Sequence, residues 1–168
     1  MRRITIAGAL LCLTLVAGAQ EVRVAGSTGT AEIEIPGSGW LQAVTFRRFP
    51  EGGRLGTWID GRVGFEGVGV EAELGPLSVV ELVELEADAI LLRLAAGSIS
   101  LESAGTSVVL ETRYGRIVTT EAAFGYADGV LDLRTGSATI DYGDRGTREV
   151  VAPARIEMGV GRVEPVVR

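Results

Sequence analysis

Apolar residues in this chain recur at every second position, in short runs that glycine closes about every ten residues, a pattern of β-strands joined by tight turns. Residues 30–35 place Ala31, Ile33 and Ile35 on one face and Glu32 and Glu34 on the other. Residues 98–102 turn Ile99 and Leu101 inward, and Leu131 and Leu133 flank Asp132. Ala138, Ile140 and Tyr142 flank Thr139 and Asp141. One wet face and one dry face per run suits antiparallel or layered sheets. The expected fold is all-β: a single domain of many short strands, as a layered sandwich or a stacked β-coil.

Turn chemistry sets the boundaries. Asp60-Gly61 and Asp128-Gly129 reach positive φ cheaply and predict hairpins. Gly97, Gly105, Gly115, Gly136 and Gly143 stand where other runs end, and Pro36, Pro50 and Pro76 fall at run boundaries where no ladder N–H is lost. The stretch over residues 64–69 (GFEGVG) reads as a glycine-softened strand or a bulge. Residues 77–96 have helical length and content, yet their apolar positions form no 3.6-residue stripe. Their alternation through Val83, Leu85 and Ala87 predicts two strands with a bend at residues 86–88. Over residues 40–46 the same period groups Trp40, Val44 and Phe46 and assigns Trp40 to the core.

The first residues bear on compartment. Met1-Arg2-Arg3 is a short basic start, residues 4–16 are apolar apart from Thr5, Gly8 and Thr14, and Ala17-Gly18-Ala19 is a small-x-small cleavage site. A signal peptide over residues 1–19, formed as a helix and cut after Ala19, is expected to leave residues 20–168 as the mature domain, periplasmic, on the cell surface or extracellular. The apolar run falls short of the ~20 residues a membrane span needs, so no span is expected after cleavage. Cys12, the single cysteine, leaves with that segment, and the domain must build its core without a disulfide.

Composition narrows the chemistry. The whole chain has a net charge of −6 and contains no histidine, and every basic residue is arginine. An acidic balance argues against nucleic acid and against an anionic membrane surface. Without imidazole or a mature thiol, Ser-His-Asp and Cys-His catalysis and most zinc sites are excluded. Paired carboxylates such as Glu32/Glu34 and Glu84/Glu86 fall at outward strand positions and read as a solubilising surface rather than a glycosidase dyad. The expected protein is not an enzyme and has no cofactor. Asp141 and Asp144 flank Gly143 in an oxygen-rich loop of the sort that holds Ca²⁺, but the spacing departs from the EF-hand pattern, and a turn with solvated aspartates is the reading preferred. Binding candidates are Trp58 and Tyr126, which with Trp40 could stack on sugar, and Arg47 and Arg48, which could grip a carboxylate or phosphate.

The order of features from residue 92 onward is distinctive. LRLAAGSISLE (residues 92–102) is a leucine-rich strand, a glycine and a second strand; VVLETRYGRIV (108–118) is a strand with a threonine, a two-residue spacer and a glycine. Phe124 and GVLDLRTGSATI (129–140) follow, and Asp60-Gly61-Arg62-Val63 supplies an earlier turn. This series resembles the FecR-type periplasmic domain over roughly residues 55–155. Where that family tends to carry Gly-Thr before the phenylalanine, this chain has Ala122-Ala123. The resemblance implies an all-β domain that meets envelope proteins or polymers. The expected function is an exported, non-catalytic interaction module whose partner is an envelope protein or polysaccharide. The alternative is a structural subunit of the cell surface that self-associates through sheet edges.

Overall fold

The computed structural model describes residues 21–159 and the backbone of residues 162–165; the expected signal segment, Cys12 included, lies outside the described residues. The strands in chain order are β1 (Val22–Thr28), β2 (Ala31–Ile35), β3 (Gly39–Gln42), β4 (Arg48–Phe49), β5 (Arg54–Thr57), β6 (Arg62–Gly67), β7 (Val70–Leu74) and β8 (Val79–Leu85). They continue as β9 (Ala89–Ala96), β10 (Ser98–Thr112), β11 (Gly115–Ala127), β12 (Val130–Asp141), β13 (Thr147–Val151), β14 (Ala154–Glu157) and β15 (Arg162–Pro165). A 3-10 turn over Gly143–Arg145 is the one helical element among the described residues. The all-β expectation is met, in one continuous sheet that curls around a single buried core.

The spine of that sheet is the antiparallel trio β10, β11 and β12, and each of these strands changes the face it buries halfway along. In β10 the buried positions run Ile99, Leu101, Ser103 and then Thr106, Val108, Leu110. In β11 they run Ile117, Thr119 and then Ala122, Phe124, Tyr126; in β12, Leu131, Leu133 and then Ala138, Ile140. Side chains alternate strictly along a strand, so each change of phase requires an extra residue, a bulge that bends the strand. The ladders shift register at these places, between Ala104 and Val108 and between Val118 and Ala122. Gly105 and Gly136 are therefore bulge residues inside continuous strands, at φ +79° and +77°, and not the ends of runs that the sequence suggests.

The bends divide the sheet into two wings. The first half of β10 pairs with β7, which continues through β6 and β1 to β4, while the first half of β12 pairs with β14 and then β15. The second half of β10 runs parallel to β9, continuing through β8, β5 and β2 to β3, and the second half of β12 pairs with β13. Both wings contribute to one core that includes Phe49, Phe65 and Phe124 along with Ile33, Leu55, Leu82, Leu92 and Leu110. Phe49 and Phe65 meet edge to face at 5.5 Å. Each such side chain contributes roughly 1.5–3 kcal/mol on burial, which accounts for a core that stands without a disulfide.

Corners between wings are closed by hydroxyl side chains, because a buried corner leaves backbone groups without ladder partners. The Thr57 hydroxyl donates to the Gly75 carbonyl at 2.6 Å and accepts from the Ser78 N–H at 2.9 Å. The Ser98 N–H donates to the Ser78 hydroxyl at 2.8 Å, and the Thr119 hydroxyl donates to the Ser137 carbonyl at 2.8 Å.

Residues 77–96 form β8 and β9 with the bend where expected, although the inward residues of β8 are Val80 and Leu82, and a register shift after Leu82 takes Val83 out of the alternation. Residues 64–69 close the β6–β7 hairpin. Asp128-Gly129 is the predicted hairpin, at φ +49° and +81°. Asp60-Gly61 is not: β5 and β6 belong to different wings, and the pair turns a corner in which the Gly61 N–H bonds the Trp58 carbonyl at 3.0 Å. Trp40 is also not core. Its strand is short and at the sheet edge, and the chain leaves it before Phe46, which takes a left-handed φ of +66° and breaks the two-residue period; Ala43 is buried instead.

The two bulge glycines make a paired test of the bend. A Cβ at Gly136 would sit 1.9 Å from the Glu121 carbonyl oxygen, whereas one at Gly105 would meet nothing within 4 Å. Gly105→Ala is expected to cost about 1–2 kcal/mol, the price of a left-handed φ alone. Gly136→Ala, with the backbone clash added, is expected to cost at least about 3 kcal/mol. Urea denaturation of the two variants checks the difference; equal losses would count against the bulge geometry.

Candidate functional site

The outer face of the wing that ends at β3 carries an ordered row of charge. Reading across directly paired positions, Glu34 of β2 faces Arg54 of β5, then Glu81 of β8, Arg93 of β9, Glu111 of β10, Arg116 of β11 and Asp141 of β12. The signs alternate over seven strands. Arg93 reaches Glu81 at 3.1 Å and Glu111 at 3.0 Å, Arg116 bridges to the other Glu111 oxygen, and Arg54 bridges to Glu34. An exposed cross-strand pair contributes at most about 1 kcal/mol. The row therefore matters more for register than for stability: a two-residue slip of any of these strands would put another side chain opposite each charge.

Glu111 is the least exposed carboxylate of this row's ion pairs, at 16%. Burial works to raise its pKa, and hydrogen bonds from Arg116 and Arg93 outweigh that and hold the carboxyl below its ordinary value.

At the β3 end the row meets aromatic surface. Trp40 lies opposite Glu34, and its ring covers the backbone of Gly56, where a Cβ would come within 3.2 Å of it. The Arg54 guanidinium stands 5.6 Å from the center of the Trp40 ring. Trp58 follows β5, and its indole N–H donates to Glu32 at 3.2 Å. Both indoles thus stand on the β2 outer face, with Trp40 44% and Trp58 58% exposed. Leu41, Val44, Phe46, Ile59 and Leu77 are also exposed, on β3 and on the segments that follow β3, β5 and β7, and Val151 is exposed on β13.

The residues singled out in the sequence do not form one site. Trp58 faces outward. Tyr126 is buried on the inner face of β11, and burial pushes its phenol pKa up; it cannot join a surface platform. Arg48 lies on β4 in the other wing, 3.7 Å from Glu21, and Arg47 is half-buried beside it. Among the described residues neither forms a hydrogen bond with Trp58, whose indole N–H goes to Glu32. Asp141 belongs to the charge row and accepts the Gly143 N–H at 2.8 Å, as a turn aspartate does. Among the described residues no three potential metal ligands converge, at Asp144 or elsewhere. Trp40 joins the surface because Gly56 makes room for its ring, a pairing visible only once β3 and β5 flank β2.

No family model matches this chain, and no curated protein matches it. In fold it is similar to the crystal structure of a candidate anti-sigma factor from Parabacteroides distasonis ATCC 8503, with a TM-score of 0.55 and 14% identity over 66% of this chain and 57% of that one. A second crystal structure described in the same words matches with a TM-score of 0.46 and 16% identity, over 57% of this chain and 50% of the other. The chain spans about half the length of these neighbours, and at 14% identity the likeness to the first is one of fold.

The Glu111 pairing gives a pH-dependent outcome. A carboxyl whose pKa is lowered by folding stabilises the fold above its unfolded pKa, and that contribution is lost as pH falls through the folded one. Glu111→Gln is expected to lower stability at pH 7 by about 1–2 kcal/mol. The loss should shrink toward zero as pH is brought below the carboxylate range, measured by urea denaturation at pH 7 and pH 3.

Proposed function

We propose that the protein is an exported, non-catalytic β-domain that acts as a protein- or glycan-interaction module of the cell envelope. The observation that carries this reading is the pair of exposed indoles on the β2 outer face, Trp40 and Trp58, with the Glu32 carboxylate engaged by one of them and the Arg54 guanidinium by the other. Aromatic faces beside hydrogen-bonding groups on a rigid sheet suit recognition of a sugar ring or of a partner's side chains. Export is supported by the basic, apolar and small-x-small order of residues 1–19. The FecR-type reading of residues 55–155 is in keeping with the shared fold, which supports the architecture and leaves activity to experiment. On this reading the domain works outside the cytoplasm, so direct contact with a cytoplasmic sigma factor forms no part of it. The lack of histidine anywhere and of cysteine after residue 12 supports a non-catalytic role.

A second reading, a self-associating surface subunit, is favoured by the open edges of the sheet. Among the described residues β3 and β13 each have a single paired neighbour, and Val151 on β13 is 67% exposed.

Two measurements separate the readings. Affinity electrophoresis against soluble polysaccharides, run beside a pull-down from the envelope fraction, is expected to detect retention by the wild-type protein. Trp40→Ala and Trp58→Ala should each weaken that retention at least about fivefold, as loss of a central tryptophan does. Variants that bind like wild type, or no retention by either class of partner, would sink the module. Light scattering is expected to report a monomer at all concentrations; growth of assemblies that Val151→Lys abolishes would favour the subunit instead.

A further inference from the structure

The other end of the charge row borders a cleft, made by two turns that the fold brings together. The turn between β10 and β11 is Arg113-Tyr114, followed by Gly115 and Arg116 at the start of β11, and the turn after β12 reads Tyr142-Gly143-Asp144-Arg145. They touch closely enough that a Cβ at Gly115 would lie 2.3 Å from the Asp141 carbonyl oxygen. Between them is an open cleft of about 780 Å³, lined by Arg93, Arg113, Arg116, Arg145, Tyr114 and Tyr142 among others. That is the size range of small-ligand sites.

The charges in this cleft are unevenly satisfied. Glu111 is engaged by Arg93 and Arg116, and Asp141 faces Arg116 across the ladder while accepting the Gly143 N–H. Among the described residues Arg113 and Arg145 form no ion pair, and Asp144 forms none with its neighbour Arg145. Each of these two guanidiniums instead stands over a tyrosine ring, Arg113 at 4.6 Å from Tyr114 and Arg145 at 5.4 Å from Tyr142. A guanidinium held by its face against a ring keeps its N–H edge free for a carboxylate or phosphate, which it grips with two parallel hydrogen bonds. The Tyr142 hydroxyl is also buried without a partner among the described residues. Arg47, Arg134, Arg148 and Arg155 also form no ion pair among the described residues; what sets Arg113 and Arg145 apart is that both line one cleft and each stands over a tyrosine ring.

We propose that this cleft binds an acidic saccharide through its carboxylate or phosphate group, with Arg113 and Arg145 as the two gripping residues. The proposal deepens the glycan side of the interaction-module reading and rests on it. It gives the outer face two functional ends: indoles at β3 for ring surfaces and guanidiniums at the β10–β11 turn for anions.

Titration calorimetry of the protein purified from the exported fraction tests it with three probes: trigalacturonate, glucose 6-phosphate and neutral maltotriose. Binding of at least one acidic probe is expected, with maltotriose silent and the signal weakening as salt is raised. Whichever acid binds more tightly identifies the carboxylate or the phosphate as the source. Arg113→Gln and Arg145→Gln should each reduce affinity about tenfold, the usual worth of a charge-assisted hydrogen bond. Arg113→Lys, which keeps the charge and loses the fork, should not restore it. Arg62→Gln, an exposed ion-pair residue on the other wing, should bind like wild type. Silence with both acids, equal binding of maltotriose, or wild-type affinity in both cleft variants would overturn the proposal. If both acids fail while tryptophan-dependent retention on envelope material persists, the cleft is refuted and the module reading stands.

Discussion

The structure depends on a phase change repeated in three neighbouring strands. An ideal strand of 12 to 15 residues would bury one face along its whole length and could serve only one wing of a flat sheet. An extra residue near the middle of β10, β11 and β12 turns the second half over, so that each strand buries its first half against one set of partners and its second half against another. Because the bulges are adjacent across the ladder, the whole sheet bends at one line. Gly136 occupies that line where the Glu121 backbone passes too close for any side chain, and glycine alone fits. A single core follows, since the two wings have only each other to bury against.

The bend also determines what the surface can do. It leaves the wing ending at β3 with an outer face on which alternating charges cross seven strands and discourage slippage. Against this neutralised background two departures stand out. At one end the charges give way to two indoles, one of them over a glycine; at the other, two arginines are held on tyrosine rings with no ion pair among the described residues. Both lie on elements fixed by the sheet, which keeps the contacting groups in place before any partner arrives.

Much of the fold was legible in the sequence because alternation and turn chemistry are local. The strand pair within residues 77–96, the Asp128-Gly129 hairpin and the inward sets in β2 and β12 follow from residue order alone. The Trp40, Gly105 and Gly136 readings fail for one cause: a period cannot report its own interruption. The alternation groups Trp40 with Phe46 across a break in the strand, and Gly105 and Gly136 read as strand ends because a bulge and a turn use the same residue. Tyr126 shows the reverse failure. Its type suggests a sugar platform, while its place in phase with Ala122 and Phe124 puts it inside.

Residue order alone determined that this chain makes strands, where most of them stop, and that its chemistry excludes imidazole and, once the expected signal segment is removed, thiol. Those properties belong to single residues and their near neighbours, so no folding is needed to read them. The charge row, the indoles on β2 and the arginine cleft were decided by the tertiary structure. Glu34 and Asp141 are far apart in the chain, as are Trp40 and Gly56 or Gly115 and Tyr142, and nothing local links them. They meet because register is a property of paired strands, and the pairing was set by which faces the bent spine could bury.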